Sequence, residues 1–405
     1  MNPSPDRPRH DPDLWRDRFP ILAETSYLVN HSLGAMPAAV VDKLSHFTEQ
    51  WATRGVRAWT EGWWDSPLVV GNLLGKIMNA PEGTVVMHQN VSLIQSIVGS
   101  ALEFRGHRNK IVYTDQNFPT NMYVWEGYRE QGARIQMVES DPDGGMPIER
   151  LLEAIDEETL LVPVSHVLFR SSYLQDAAAI CRRAREVGAL VLLDCYQSLG
   201  TVPIDVQALD VDMLCGGSVK WLCGGPGAAY LYVKPEVAAR LKPRITGWAA
   251  HAEPFAFELG AQRYATGIAR FLHGTPAVAC LAHASAGYEV VQEVGLDAIR
   301  AWSIFLNESL RQDLLERGFT IFGPEDPERR GGTLTVELTG EESGPAFVAA
   351  LASRGILIDH RPDAGLRVSP HFYTRQAELE EFAEILAELR ETGSWRDHLE
   401  RSGAY

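Results

Sequence analysis

Short apolar runs alternate with segments of helical spacing through the middle of this chain, and two of these runs lead to a charged residue. Residues 189–193 are apolar and end at Asp194, while the run at 211–215 continues through two glycines and Ser218 to Lys220. A continuous apolar run is typical of a strand buried on both faces of a parallel sheet. Because open α/β sheets bind ligands beyond the carboxyl ends of their strands, Asp194 and Lys220 are predicted to share one crevice.

The same periodicity predicts the organisation of the chain. Strands are predicted at 84–87, 110–114, 160–167, 190–193, 213–215 and 229–233, with helices from about 91 and over 176–187. This alternation favours an α/β fold with a mainly parallel central sheet and helices on both faces. From about 275 the pattern changes to long helices broken near Gly295, short strands and a helix over 376–390, which predicts a smaller C-terminal α+β domain. We therefore expect a partly disordered N-terminal segment (1–35), a large domain (36–275) and a small domain (276–405).

Composition limits the class of partner. The 405 residues carry a net charge of −16, with 45% hydrophobic and 22% charged residues, as in an ordinary globular protein. An acidic surface repels phosphate backbones, so no nucleic acid is expected. No membrane span is expected, and residues 1–19 lack the apolar core of a signal peptide, which predicts a cytoplasmic protein. Five cysteines without a CxxC pair and scattered histidines predict reduced thiols and no metal site.

The pair of Asp194 and Lys220 suits one cofactor in particular. Pyridoxal phosphate needs a lysine amine for its Schiff base and an acid that keeps its ring nitrogen protonated. Either residue alone is more typical of a solvated lysine or a turn aspartate. Together, at neighbouring strand ends, they predict pyridoxal phosphate as the cofactor.

Other side chains near the predicted strand ends extend this prediction. Gln197 could donate to the phenolic oxygen of the cofactor. Val91 and Ser92 begin a helix whose exposed amides favour a phosphate. Phe118 could stack on the ring, and Arg367 could bind a substrate carboxylate bidentately. Each of these alone is also typical of a loop amide, a helix cap, a core aromatic or a surface ion pair.

Two segments carry a family resemblance. Residues 194–206 and 220–227 resemble the class V, fold-type I pyridoxal-phosphate enzymes, and within that group they are most similar to kynureninases. Supporting segments lie at 30–34, 118–120, 165–167, 247–248 and 361–367, so the resemblance covers nearly the whole chain from about residue 20. It implies the fold-type I transferase fold and homodimers with active sites at the subunit interface.

The resemblance also implies roles for individual residues. Lys220 would form the Schiff base and Asp194 would hold the ring nitrogen. The remaining implied cofactor contacts are Phe118 and Gln197 at the ring, Val91, Ser92, Ser218 and Trp248 at or near the phosphate, and Thr275 from the neighbouring subunit. Arg367 and Asn30 would bind the substrate, an amino acid that acts as a small-molecule partner.

The implied reaction is hydrolysis of a Cβ–Cγ bond, giving alanine and an anthranilate-type acid from L-kynurenine or a related acyl-alanine. Four positions depart from the kynureninase pattern: Val219 stands where a tyrosine is usual, Gln197 where a histidine is usual, Asn121 where an aspartate is usual, and Gly274 where an asparagine is usual. An aminotransferase, epimerase or β-lyase of the same class therefore stays open, with a non-catalytic binding module as a third possibility. A desulfurase is not expected, because such enzymes carry a C-terminal nucleophilic cysteine and no cysteine follows Cys280.

Overall fold

The structure, a computed structural model, describes residues 7–142 and 144–401. Its strands are β1 Ser26–Tyr27, β2 Val85–His88, β3 Lys110–Thr114, β4 Arg134–Val138, β5 Thr159–Ser165, β6 Leu190–Asp194, β7 Met213–Gly217, β8 Ala229–Val233, β9 Ile321–Phe322, β10 Leu334–Val336, β11 Ile356–Leu357, β12 Asp359–Arg361 and β13 Gly365–Val368.

Helices alternate with most of these strands. They are α1 Asp13–Arg16, α2 Ala39–Arg54, α3 Ser66–Gly75, α4 Val91–Ser100, α5 Pro119–Glu126, α6 Ile148–Ala154, α7 Ala177–Val187, α8 Val206–Leu209, α9 Pro235–Arg240, α10 Val278–Val294, α11 Leu296–Glu316, α12 Gly344–Ala352 and α13 Gln376–Thr392. Within the two described ranges, no helix combines the length and apolarity needed to cross a bilayer.

The described part of the chain forms a central sheet of seven strands in the order β2-β8-β7-β6-β5-β3-β4. Only β8 runs antiparallel to its neighbours in this sheet, and the other pairs are parallel. The carboxyl ends of β3, β5, β6 and β7 therefore meet at one edge. This topology confirms the predicted α/β fold with a mainly parallel sheet.

Both faces of the central sheet are covered by helices. Along β6, Val191 and Leu193 pack on one face with α3, α7 and α10, while Leu192 packs on the other face with α4, α5 and α9. Each strand residue thus enters one of two apolar cores, which explains why the sequence of β6 is a continuous apolar run.

A second sheet, with strand order β12-β13-β10-β9, is antiparallel and packs with α11, α12 and α13 around its own apolar core. The N-terminal segment is joined to this region, since β1 pairs in parallel with β11 and Leu28 lies in the same core. Residues 1–6 of the segment predicted to be partly disordered lie outside the described residues.

The predicted domain boundaries at 35/36 and 275/276 stay predictions. Side chains of α10, such as Leu281 and Tyr288, pack in the core of the central sheet, whereas Trp302 and Leu306 of α11 belong to the smaller core. Gly295, with φ of 84°, separates the two helices where the break was predicted. This packing favours a second boundary near Gly295.

Candidate active site

A cavity of about 310 Å³ opens at the carboxyl ends of β3, β5, β6 and β7. Six of the residues predicted for the site line it, namely Val91, Ser92, Phe118, Asp194, Gln197 and Lys220. These residues come from four separate segments of the chain. The parallel strands bring the segments together because their loops all leave the same edge of the sheet.

Asp194 ends β6 and lies on the cavity wall with only 5% of its surface exposed. The Nδ2 of Asn121 donates to Oδ2 of Asp194 at 2.9 Å, and the backbone N of Tyr196 donates to Oδ1 at 2.9 Å. Burial raises the pKa of the Asp194 carboxyl, while these two donors and the charge of Lys220 oppose the rise. The carboxylate is therefore held in one orientation and would gain from a cationic N–H in the cavity.

Lys220 follows β7 and projects its amine into the same cavity, where it is partly exposed. Burial and the charge of Arg367 lower the pKa of the Lys220 amine to about 7, against the opposing charge of Asp194. Across residues 7–142 and 144–401 the structure gives the Nζ of Lys220 no hydrogen bond or salt bridge. A substantial neutral fraction near pH 7 makes this amine a nucleophile and a base.

Two helices begin at the cavity. Asn90 caps α4 by accepting from the backbone N of Leu93 at 2.9 Å, and the hydroxyl of Ser92 donates to that of Thr120, near the start of α5, at 3.4 Å. Asn90, Ser92 and Thr120 all line the cavity. First-turn amides have no intrahelical acceptor and favour an anion, so this end of the cavity is suited to a phosphate.

One part of the cavity wall is aromatic and aliphatic, and another part is polar. Phe118 is 45% exposed and contacts Phe169 edge to face, with ring centroids 5.3 Å apart. Gln197 also lines the cavity; its Nε2 donates to the backbone O of His31 at 3.1 Å and its Oε1 accepts from Nε1 of Trp221 at 3.1 Å. These contacts fix the orientation of the Gln197 amide at the cavity wall.

The two predicted substrate-binding residues lie behind the cavity wall. Arg367 is 2% exposed and forms a bidentate ion pair with Asp359, at 2.9 and 2.6 Å, while its Nη1 donates to the backbone O of Phe169 at 2.7 Å. Asn30 is fully buried, and its Nδ2 donates to the backbone O of Ser369 at 2.7 Å. Neither side chain lines the cavity in this chain.

Three predicted cofactor residues also lie away from the cavity. Ser218 is buried and its hydroxyl contacts that of Tyr288. Trp248 is 41% exposed and belongs to a surface cluster of aromatic rings. Thr275 is exposed at the rim of a separate small cavity beside His273. The roles predicted for all the site residues stay predictions.

Some residues of the site are not among those predicted. Asn121 holds Asp194, Tyr196 lies beside Lys220, and Asp359 fixes Arg367. The sequence does carry a signal for Tyr196, because this residue lies only two positions after Asp194. The sequence carries no such signal for Asp359 as the partner of Arg367, because the two residues lie on neighbouring strands.

Comparison with known proteins identifies the family. The model of the aminotransferase class-V family matches residues 26–382. The chain belongs to this family. The prediction of a class-V, fold-type I enzyme dependent on pyridoxal phosphate is thereby confirmed. The site of this class-V member fits the cofactor on its own geometry: within residues 7–142 and 144–401 the lysine amine forms no hydrogen bond or ion pair, the carboxylate is oriented, and two helices begin around one cavity.

Individual proteins similar to this class-V chain share 20–30% sequence identity with it. Kynureninase from Pseudomonas fluorescens is 30% identical over 94% of this chain and 92% of its own. The solved apo cysteine desulfurase from Thermococcus onnurineus NA1 has a TM-score of 0.85 at 20% identity, covering 95% and 99% of the two chains. A lysine-to-alanine mutant of C-DES, with glycine covalently linked to its PLP cofactor, has a TM-score of 0.83 at 21% identity, covering 92% and 99%. The two solved structures show the fold alone.

Proposed function

We propose that this class-V enzyme is a kynureninase-like hydrolase. It would add water to an acyl-alanine such as L-kynurenine, break the Cβ–Cγ bond, and release alanine and an aromatic acid. The observation that carries the proposal is the likeness to a kynureninase at 30% identity, which extends over 94% of the chain and thus over every segment of the site. The aromatic and aliphatic cavity wall of Phe118, Val167 and Phe169 supports an aromatic acyl group.

Lys220 would hold the cofactor through its amine and, once released by the substrate amine, would move the proton at Cα. The pyridoxal ring supplies an electron sink for this chemistry when it is bound. A lysine pKa lowered to about 7 by burial suits a base that works near neutral pH. Asp194 would accept a hydrogen bond from the ring nitrogen, because two donors already aim its carboxylate into the cavity.

Arg367 would bind the substrate carboxylate once the wall at Phe169 moves, because the guanidinium is now 2% exposed and lies behind that wall. A guanidinium has five N–H donors, and three of those of Arg367 are engaged by Asp359 and the backbone O of Phe169. The two that remain can serve a carboxylate. The bidentate pair with Asp359 would fix the plane of the guanidinium and so the orientation of the substrate.

We further propose that the enzyme is a homodimer and lies in the cytoplasm. Trp64, Trp248, Phe255 and Phe257 form a surface aromatic cluster, with three of the rings more than 40% exposed. An exposed apolar cluster of this kind supports a protein interface. Thr275, which follows this region, would then reach the phosphate of the neighbouring subunit.

The proposal is tested by incubating the cofactor-loaded protein with L-kynurenine in the absence of any 2-oxo acid. We expect equimolar anthranilate and alanine, measured by mass spectrometry, and neither product from Lys220→Ala. The control variant is Lys242→Ala, which changes a lysine outside the cavity and should keep the activity.

A different outcome would replace the hydrolase with another class-V reaction. Turnover that requires a 2-oxo acid would identify an aminotransferase, and exchange of the Cα proton without cleavage would identify an epimerase. Release of a side chain bound through sulfur would identify a β-lyase. Lack of any visible cofactor band in the loaded protein would favour a binding module.

A further inference from the structure

Tyr196 lines the same cavity as Asp194 and Lys220, yet no step of the proposed reaction uses it. The Nζ of Lys220 lies over the face of the Tyr196 ring, 4.5 Å from its centroid. The corresponding distance to the ring of Phe118 is 5.8 Å. The ring nearest to the amine is therefore not the aromatic residue that was predicted to stack on the cofactor.

The ring of Tyr196 is held in place from two sides. Its backbone N donates to Oδ1 of Asp194 at 2.9 Å, so the main chain is tied to the carboxylate. The hydroxyl end of the ring rests on Gly217, the last residue of β7, where a Cβ would overlap Cζ and Oη of Tyr196. Gly217 has no positive φ, so the need for glycine here is close approach of the tyrosine rather than backbone conformation.

The hydroxyl of Tyr196 lies next to Gly217. It faces the backbone of β7, and burial raises the pKa of Tyr196 to about 12. The phenol therefore stays protonated at working pH. What the residue offers the cavity is the π face of its ring.

We propose that Tyr196 forms a second aromatic wall of the cofactor site, in addition to Phe118. Its ring face would contact the pyridine ring and would stabilise positive charge on the nitrogen that joins Lys220 to the cofactor. Ring pairs and cation–π contacts both favour this arrangement. The inference rests on the use of pyridoxal phosphate and not on the hydrolase reaction, so every readout is taken without substrate.

Other charges acting on Lys220 come from three strands. They are Asp194 at the end of β6, Asp359 and Arg361 on β12, and Arg367 on β13. His31 lies close to the same group, but burial lowers its pKa to about 3 and it is neutral at working pH. Substitutions of Tyr196 leave all of these groups in place, so a changed titration reports on the ring.

The test compares Tyr196→Leu, which removes the ring, with Tyr196→Phe, which keeps it. Cofactor titrations followed by the visible band give the dissociation constant, and a pH titration of the same band gives the midpoint of its protonation. For Tyr196→Leu we expect the dissociation constant of the cofactor to be about three- to tenfold higher, because an aromatic contact usually contributes that much to the free energy of binding. The midpoint should fall by about half a pH unit or more, since loss of the π face destabilises the protonated nitrogen.

Tyr196→Phe should match the parent in both measurements within about twofold. Tyr123→Leu, at a tyrosine that is 73% exposed, is the matched control and should also match the parent. The inference is overturned if natively folded Tyr196→Leu keeps the parental dissociation constant and midpoint, or if Tyr196→Phe loses as much as Tyr196→Leu.

A second substitution covers the case in which Tyr196→Leu does not fold. Pentafluorophenylalanine at position 196 keeps the ring but withdraws its π electrons, so the protonation midpoint should fall relative to Tyr196→Phe. An unchanged midpoint would refute the π-face role. Failure of the kynurenine assay alone would leave these cofactor measurements untouched, and the two proposals are thus tested separately.

Discussion

At the residue scale, the chemistry depends on how the chain makes a lysine reactive when no acid–base partner in the described part of the chain lies at hydrogen-bonding distance. Burial and the charge of Arg367 lower the pKa of the Lys220 amine, whereas the charge of Asp194 raises it. The result is a pKa of about 7. Only the neutral amine attacks an aldehyde, so below this pH the protonated amine should capture the cofactor slowly.

We therefore predict that the rate of cofactor capture by the cofactor-free protein rises with pH through about 7. At pH 6 the rate should be about tenfold below its plateau, because about a tenth of the amine is neutral one unit below the pKa. Stopped-flow absorbance measures the rate, and N-acetyl-lysine methylamide under the same conditions corrects for the ionisation of the cofactor itself. A corrected rate that still rises tenfold between pH 8 and 9 would contradict a lowered lysine pKa.

At the element scale, β12 and β13 present a charged pair at one register position. Asp359 and Arg367 are directly opposite each other, are 4% and 2% exposed, and form a bidentate ion pair. The same carboxylate accepts from His31 at 2.8 Å and pairs with Arg361 at 3.0 Å. Its partners hold the pKa of Asp359 well below its usual range. The stability from this lowered pKa is present above the unfolded pKa of about 4 and is lost as the pH falls toward the folded value.

We predict that Asp359→Asn destabilises the protein by about 3–5 kcal/mol, because it leaves a buried guanidinium without its counter-charge. Urea unfolding at pH 7 measures the change in the free energy of unfolding. Asp363→Asn is the matched control: its side chain is 85% exposed and lies 3.9 Å from Arg170, and the loss should stay within about 0.5 kcal/mol. Equal stabilities of the two variants would show that the buried pair contributes little.

The elements that could be predicted from the sequence are those buried on both faces. The strands β3, β6, β7 and β8 were expected nearly at their observed bounds, since each is a short continuous apolar run. The edge strand β4 is not predicted from the sequence, because Arg134 and Gln136 alternate there with apolar residues that are half-buried or exposed. Local pattern also cannot pair Arg367 with Asp359, since that contact depends on strand register in the small sheet. Asp194 and Lys220 could be predicted because the ends of parallel strands converge whatever the register.

At the scale of the whole molecule, the surface cluster around Trp248 bears on assembly. Phe257 in this cluster is 69% exposed and its ring lies 6.1 Å from that of Trp248. We predict that Phe257→Glu shifts the proposed dimer to monomer, because it would place two charges in one apolar interface. Sedimentation velocity measures the mass.

Leu14→Glu, at a leucine 70% exposed on α1, is the control and should stay dimeric. If Thr275 of the neighbouring subunit reaches the phosphate, the monomeric variant should also bind the cofactor at least about tenfold more weakly. The reason is that the monomer lacks one charge-assisted hydrogen bond to the phosphate. A variant that stays dimeric would place the interface elsewhere, and a monomer that binds the cofactor normally would remove Thr275 from the site.

The pairing of β1 with β11 has a consequence for synthesis. Ser26 lies opposite Ile356, so β1 cannot pair with β11 until about 330 more residues have been translated. At about 5–20 residues per second that delay is about 15–65 s. During that time the central sheet can fold while Leu28 and its neighbours stay without their core. The nascent chain thus carries β1 without its partner strand, and Leu28 without its core, for most of its elongation.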